Sequence, residues 1–264
     1  MKIEYPKNFN SDSLKNMFLW RYSDLFKLID LINTKSLFFI RFDKFEDALE
    51  GLTGESIKLK QITNGEPLTY KNINNFDEKT KKKLIEWDQS ARMKHTKQTE
   101  NSQETQFASC WFSGEKESIA MWKTYANSDG FAIKFKAMEL IDTIIASAKS
   151  YTNSDFSLLY FGPVEYKNLW PLDFKEKIEG KFNGLKKDKS YHHENEFRFV
   201  AVTSIENKGK IDYLKLPIGE LSSFNIKIIA SPYMAKWKFE NAKILLSKFG
   251  IEDKLQPSVM QIKL

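Results

Sequence analysis

The stretch that decides the fold reads His192-His193-Glu194-Asn195-Glu196-Phe197-Arg198-Phe199-Val200-Ala201-Val202. Aromatic and β-branched residues recur in it, which predicts a β-strand over 192–202. Side chains alternate between the two faces of a strand, so Glu194, Glu196 and Arg198 are predicted to share one face. The apolar side chains between them then anchor the other face to a core. The charged face is either a solvated edge or a cleft that holds a catalytic acid.

Segments of helical and strand character alternate irregularly on both sides of this stretch, which predicts an α+β fold with a mixed or antiparallel sheet. No repeat or linker is evident, so we expect a single domain over 1–264 with a basic helical insertion around 77–103. The predicted strands are 18–22, 36–42, 106–113, 130–135, 158–166, 192–202, 211–216, 225–230 and 259–263. The predicted helices are 25–33, 77–103, 115–126, 137–148, 173–187 and 235–249.

Composition limits the classes of protein to which the chain can belong. The single cysteine, Cys110, rules out an internal disulfide framework and is typical of a reducing compartment. No apolar stretch reaches the roughly 20 residues that a membrane span needs, so we expect a cytoplasmic protein without a membrane partner. The formal net charge of +6 favours polyanionic partners. The 77–103 segment is rich in lysine and is either a solvated helix or a cationic arm for phosphates.

Several common site chemistries have no signature in the chain. The three histidines and Cys110 do not have the spacing of a metal site, so no metal is expected. His192 and His193 are adjacent and would point to opposite faces of a strand. Phosphate-binding Gly-Lys-Ser/Thr loops, GxGxxG turns and GxSxG elbows are also missing, which argues against P-loop NTPases, Rossmann dehydrogenases and serine hydrolases.

Two further segments carry candidate binding residues. Arg21 lies in the apolar run Phe18–Tyr22 and needs an anionic partner, which is either a phosphate or an internal carboxylate such as Glu46 or Glu196. Trp122 and Tyr125 are three residues apart on a predicted helix and share a face. Hydroxyl groups from the preceding strand complete an aromatic surface that suits a planar heterocycle, although core packing explains the same residues equally well. These hydroxyls belong to Ser109 and Ser113.

These segments together resemble the family known as domain of unknown function 2971. The matching elements are Trp20-Arg21-Tyr22, the acidic turn 42–51, Ser109 to Ser113, Met121 to Ala126, Gly130 to Phe135, and Lys187 through Tyr191 to Arg198. The acidic turn departs from the family pattern, because Asp43-Lys44-Phe45-Glu46 replaces the usual Asn-Asp-Pro-Phe-Glu arrangement. The resemblance covers nearly the whole chain.

That family looks related to the ADP-ribosyltransferases, which hold NAD in a cleft of a split mixed sheet flanked by helices. The resemblance implies that Arg21, with Tyr22 beside it, meets the ribose or phosphates of NAD, and that Ser109 or Tyr125 lines the nicotinamide pocket. It also implies that Glu196 stabilises the oxocarbenium-like transition state, with Glu194 preceding it. A fixed carboxylate beside a developing cation is suited to that role. Ser113, Trp122 and Tyr125 are further predicted cofactor-binding residues.

The resulting hypothesis is an NAD-dependent ADP-ribosyltransferase that acts as a bacterial toxin or anti-phage effector. NAD is its co-substrate, and a neutralising antitoxin is a possible partner. The acceptor is a nucleic acid or a protein, and the net positive charge favours RNA or single-stranded DNA, whose exposed bases can stack on aromatic side chains. The alternatives are a non-catalytic module that binds a nucleotide or a partner, and a metal-dependent nuclease using Glu194, Glu196 and Asp47.

Overall fold

A ten-stranded mixed sheet organises the residues that the computed structural model describes, which are 1–6, 10–63, 75–173 and 181–260. The strand order is β1-β6-β9-β4-β2-β5-β11-β12, and β3 joins β4 to β10 beside this path. The pairs β1–β6 and β11–β12 are parallel and the other pairs are antiparallel. The strands of this sheet are β1 Lys2–Glu4, β2 Phe18–Ser23, β3 Ser36–Arg41, β4 Gln106–Ser113, β5 Phe131–Lys136, β6 Phe156–Pro163, β9 Glu196–Thr203, β10 Tyr213–Pro217, β11 Lys227–Ala230 and β12 Leu255–Pro257.

Helices flank the sheet, and a small parallel pair of strands lies apart from it. Three amphipathic helices, α2, α6 and α7, place their buried residues in the largest apolar cluster, which covers one face of the sheet. The separate pair consists of β7 Glu165–Lys167 and β8 Lys186–Asp188. The helices are α1 Ser11–Leu14, α2 Leu25–Thr34, α3 Gly54–Thr63, α4 Glu78–Gln103, α5 Ile119–Met121, α6 Ala137–Ser150 and α7 Lys236–Ser247. The predicted mixed sheet with flanking helices is therefore confirmed.

Local sequence explains the elements that the patterns predicted well. Asp24 caps α2 by accepting a hydrogen bond from the Lys27 amide, and Asp77 caps α4 through the amides of Lys79 and Thr80. The long polar helix predicted over 77–103 is thus confirmed as α4. Strand β4 occupies the predicted range, and β9 divides its side chains between two faces as expected. Phe197, Phe199 and Ala201 of β9 enter the main core, whereas Glu196 and Arg198 lie on the other face.

Two predicted helices differ in the structure. The helix predicted over 115–126 begins only at Ile119, after the cap Ser118, and its last five residues, Trp122–Ala126, form a π-helical turn. The helix predicted over 173–187 is wrong at its end, where a 3-10 turn at Asn183–Leu185 leads into β8; residues 174–180 lie outside the described residues. The close approach of the Tyr160 hydroxyl to Gly184, whose amide donates to it, fixes this turn.

Two strands predicted in the last third of the chain also need correction. The strand predicted over 192–202 starts at Glu196, because Lys189–Glu194 is a 3-10 helix and Asn195 adopts a left-handed conformation with φ of 38°. The strand predicted over 259–263 is not found at Val259 and Met260, and 261–263 lie outside the described residues. Strand β12 instead pairs with β11 a few residues earlier.

Candidate functional site

A split in the sheet creates the main cavity. One edge of β4 pairs with β9 along 106–112, but its other edge is shared between two strands. β3 pairs with Phe107 and Ala108, and β2 pairs with Phe112 and Ser113. Within the described ranges, Ser109 to Trp111 therefore have no strand neighbour on that side. A cavity of about 820 Å³ opens where β2 and β3 diverge, and its volume lies within the range of cofactor-sized pockets.

The cavity reaches both faces of the sheet through this split. Arg21 lies on the same strand face as Leu19 in β2, and Trp111 lies on the same face as Ser109 in β4. Both therefore line the cavity from the face that carries the main core. Cys110, Phe112 and Glu196 line it from the opposite face. Arg21 and Glu196 therefore share one cavity although they lie on opposite faces of the sheet.

Arg21 is a cation without a carboxylate partner. Its Nη1 donates to Ser109 Oγ at 2.7 Å and its Nη2 donates to the Phe38 carbonyl at 3.4 Å, and the guanidinium lies 5.5 Å from the centre of the Trp111 ring. No described acidic side chain forms an ion pair with it, so the internal salt bridge considered for Glu46 or Glu196 is not formed. Burial lowers the pKa of the Arg21 guanidinium, as expected for a desolvated cation with no anion beside it.

A buried group of three carboxylates and two cations lies on the other side of the split. We call it the charge cluster; its members are Glu50, Lys187, Glu194, Glu196 and Arg198, and all are at most 6% exposed. Arg198 is fully buried and binds Glu50 through two hydrogen bonds of 2.7 and 2.8 Å. It also donates from Nε to Glu196 Oε2 at 2.7 Å and from Nη2 to Glu196 Oε1 at 2.9 Å. Glu50 and Glu196 thus each accept from two nitrogens of the Arg198 guanidinium.

Lys187 joins the three carboxylates of the charge cluster. Its Nζ donates to Glu194 and to Glu196, the latter at 2.9 Å, and lies 3.2 Å from Glu50. Burial disfavours the ammonium form, but Glu196 and Glu50 outweigh burial and raise the pKa of Lys187. Strand β8 aligns Lys187 with this group, and β8 is the segment that the sequence patterns assigned to a helix.

The pKa values of Glu194 and Glu196 are moved in opposite directions. Burial opposes ionisation of Glu196, but Arg198 and Lys187 outweigh it and hold the pKa of this carboxyl well below its usual range. Burial and a hydrogen bond with Glu196 raise the pKa of Glu194, against the opposing effect of Lys187 and Tyr125. Neighbouring carboxyls with pKa values moved in opposite directions can divide acid and base roles between them.

Tyr125 is the exposed end of this arrangement. Its hydroxyl donates to Glu194 Oε1 at 2.6 Å, and the side chain is 44% exposed and lines the cavity. Burial of the hydroxyl and its bond to Glu194 raise the pKa of Tyr125. Tyr125 lies in the π-helical turn, and turns of this kind occur frequently at functional sites.

Four other predicted cofactor-binding residues occupy different places. Trp122 is fully buried, packs edge-on against Tyr22 at 4.9 Å and donates to Glu117, so it belongs to the core and not to the cavity wall. Tyr22 lines the cavity, but its hydroxyl accepts from the Ser118 amide, and so its polar end is already bonded. Ser109 reaches the cavity only through Arg21, and Ser113 does not line it.

Sequence reasoning missed two members of the charge cluster. Glu50 lies near the end of the acidic turn that departs from the family pattern, and it provides the bidentate partner of Arg198. Lys187 begins the last family motif, and this spacing was the one signal that could have identified it. Phe45 and Tyr191 add aromatic walls to the cavity, and the ring of Tyr191 lies 4.5 Å from Lys187 Nζ.

The geometry also bears on the nuclease alternative and on membranes. Asp47 lines the cavity, but within the described part of the chain no three His, Cys, Asp or Glu side chains are arranged to hold a metal ion. The carboxylates of Glu194 and Glu196 are bonded to Lys187 and Arg198 instead. None of the described helices is long and apolar enough to cross a membrane.

Comparison with known proteins identifies one family. Residues 121–199 match the model of the family described as "Protein of unknown function (DUF2971)", which confirms the family resemblance over that segment. No curated protein and no solved structure matches the chain. The matched segment contains Tyr125, Lys187, Glu194, Glu196 and Arg198, so it carries most of the cluster beside the cavity.

Proposed function

We propose that the cavity is the NAD site of an ADP-ribosyltransferase with a fold like that of the ADP-ribosyltransferase superfamily. One observation carries this proposal: Arg21, which has no ion-pair partner among the described residues, and the acidic pair Glu194 and Glu196 line a single cavity at a split in the sheet. NAD has phosphates that suit an unpaired guanidinium and a ribose whose hydroxyls suit a carboxylate. The cavity volume and its aromatic walls fit a dinucleotide with two planar bases.

Roles follow from the charges around the cavity. Arg21 would hold the phosphates or a ribose of NAD, and the half-buried Phe45 and Tyr191 offer faces for a base. Glu196 would stabilise the cation that develops at the ribose when nicotinamide leaves, since Arg198 keeps it ionised. Glu194, whose pKa is raised by burial and by Glu196, is suited to take up a proton from a bound group.

Helix α4 supports a nucleic acid, RNA or single-stranded DNA, as the acceptor. It carries Lys79, Lys81, Lys82, Lys83, Arg92, Lys94 and Lys97 along its length, and Trp87 and Met93 are 49% and 74% exposed between them. Cationic side chains beside an exposed aromatic ring suit a single-stranded backbone with unstacked bases. In a toxin or anti-phage effector of this type, a neutralising antitoxin would be the natural partner; a protein acceptor is the other outcome of the test below.

One observation favours a second candidate, a non-catalytic nucleotide-binding module. Both oxygens of Glu196 accept hydrogen bonds from Arg198, and one of them also accepts from Lys187. This carboxylate is therefore already bonded within the protein. In such a module, Arg21 would still bind an anion, but no bond of the ligand would be broken.

Inducible expression of the wild type and of Glu196→Gln, followed by mass spectrometry of cellular RNA, DNA and protein, tests the proposal. An added ADP-ribose in the wild type only is expected. Binding of NAD without release of nicotinamide would support the module instead. A magnesium-dependent loss of nucleic acid that a chelator abolishes would support the nuclease, because the transferase is expected to work in chelator.

A further inference from the structure

Tyr125 forms a hydrogen bond with Glu194, the carboxylate of the charge cluster that lies nearest its hydroxyl. Glu194 is only 4% exposed, and each of its oxygens has a partner: Oε1 accepts from Tyr125 and Oε2 accepts from Lys187. Lys187 is itself buried among three carboxylates. Glu194 lines the cavity, but both of its oxygens are already bonded, and Tyr125 is the more exposed member of the Tyr125–Glu194 pair.

We propose that Tyr125 relays a proton to Glu194 from the group that attacks NAD. This inference rests on the proposed function and adds the route by which the attacking group loses its proton. In the step, the bond between ribose C1′ and nicotinamide breaks and its electron pair leaves with nicotinamide. The oxygen or nitrogen of the attacking group forms the new bond to C1′. Its proton passes to the Tyr125 oxygen while the Tyr125 proton passes to Glu194 Oε1, so charge and atoms balance.

Three features of the site fit a relay. The hydrogen bond between Tyr125 and Glu194 measures 2.6 Å, a length at which a proton can pass between two oxygens. Three side chains face Glu194: Tyr125 from the π-helical turn, Lys187 from β8 and Glu196 from β9. Glu50 and Arg198 lie behind them. Among these groups Glu196 is held ionised, which leaves Glu194 as the carboxyl whose raised pKa suits proton uptake.

The test follows nicotinamide release from NAD, with water as the attacking group, in the wild type and in Tyr125→Phe. The variant loses only the hydroxyl. We expect its kcat to fall about 10²-fold, the lower end of the effect of general bases, while its KM for NAD and its melting temperature stay near those of the wild type. Tyr213→Phe is the matched control, because Tyr213 is 52% exposed and does not line the cavity.

Rescue by azide separates a relay from a structural role. Azide is an anionic nucleophile that has no proton to lose, so it attacks C1′ without a base. Sodium azide should therefore raise nicotinamide release at least about tenfold in Tyr125→Phe and in Glu194→Gln, but not in Arg21→Ala, where NAD binding is impaired. A wild-type rate in Tyr125→Phe, or a loss that azide leaves unchanged, overturns the relay. A wild type that releases no nicotinamide overturns the proposed function, and this is visible before any variant is compared.

Discussion

Glu50→Gln should destabilise the protein strongly, although Glu50 lies outside the segment that matches the family. Glu50 is 1% exposed and Arg198 is fully buried, and two hydrogen bonds of 2.7 and 2.8 Å join them. A glutamine has a single side-chain acceptor, and its NH₂ group would face a guanidinium that can only donate. The variant therefore leaves part of a buried cation unpaired.

The size of the effect follows from this burial. Removing one partner of a buried ion pair costs about 3–5 kcal/mol. For a chain of this length, each kcal/mol lowers the melting temperature by roughly 2–4 °C, so we expect a decrease of about 6–20 °C in thermal unfolding followed by circular dichroism. Glu55→Gln is the control, because it makes the same change in an exposed pair with Lys94 whose side chains are 60% and 56% exposed. Exposed pairs contribute less than about 1 kcal/mol.

A double variant tests the reason for the decrease. Glu50→Leu together with Arg198→Met removes both charges, while Lys187 remains as the cation beside Glu194 and Glu196, so part of the lost stability should return. Equal melting temperatures for Glu50→Gln and Glu55→Gln would refute the argument, because burial is the main difference between the two sites. A double variant no more stable than Glu50→Gln would show that shape, and not charge, explains the loss.

Three further outcomes are expected. Arg21→Ala should weaken NAD binding in calorimetry by about 1.5–3 kcal/mol, the contribution of a hydrogen bond to a charged group; an unchanged Kd would assign Arg21 a structural role. Glu196→Gln should lower ADP-ribosyl transfer about 10²-fold or more while the far-ultraviolet spectrum stays native, and a wild-type rate would contradict the catalytic assignment. The folded-state pKa of Glu194 is raised, so its stabilising contribution is present below about pH 4.3 and is lost as pH rises through that pKa. Glu194→Gln should therefore gain stability relative to the wild type as pH rises in urea titrations; parallel curves would contradict this.

Patterns of short range predicted much of the fold. Alternation along 192–202 correctly assigned Phe197 and Phe199 to the core and Arg198 to the opposite face. Caps and periodicity correctly placed α2 and α4. These successes share a cause, since each depends on residues within a few positions of one another.

The errors at the site come from local geometry that spacing does not reveal. Trp122 and Tyr125 would share a face of an α-helix, but a π-helical turn is wider, so the same three-residue step turns Tyr125 away from Trp122. Trp122 then enters the core, whereas Tyr125 reaches Glu194. Glu194 was predicted within a strand, but Asn195 in its left-handed conformation separates it from β9.

The charge cluster was beyond any local pattern, because Glu50 and Arg198 are separated by 148 positions. Their contact depends on the order of strands in the sheet, which a single sequence does not specify. Folding stability alone does not require the charge cluster, since buried ion pairs can often be replaced by apolar residues without loss of stability. Five buried charged side chains beside an open cavity, with the pKa values of Glu194 and Glu196 moved in opposite directions, are therefore the reason for proposing a reaction in that cavity.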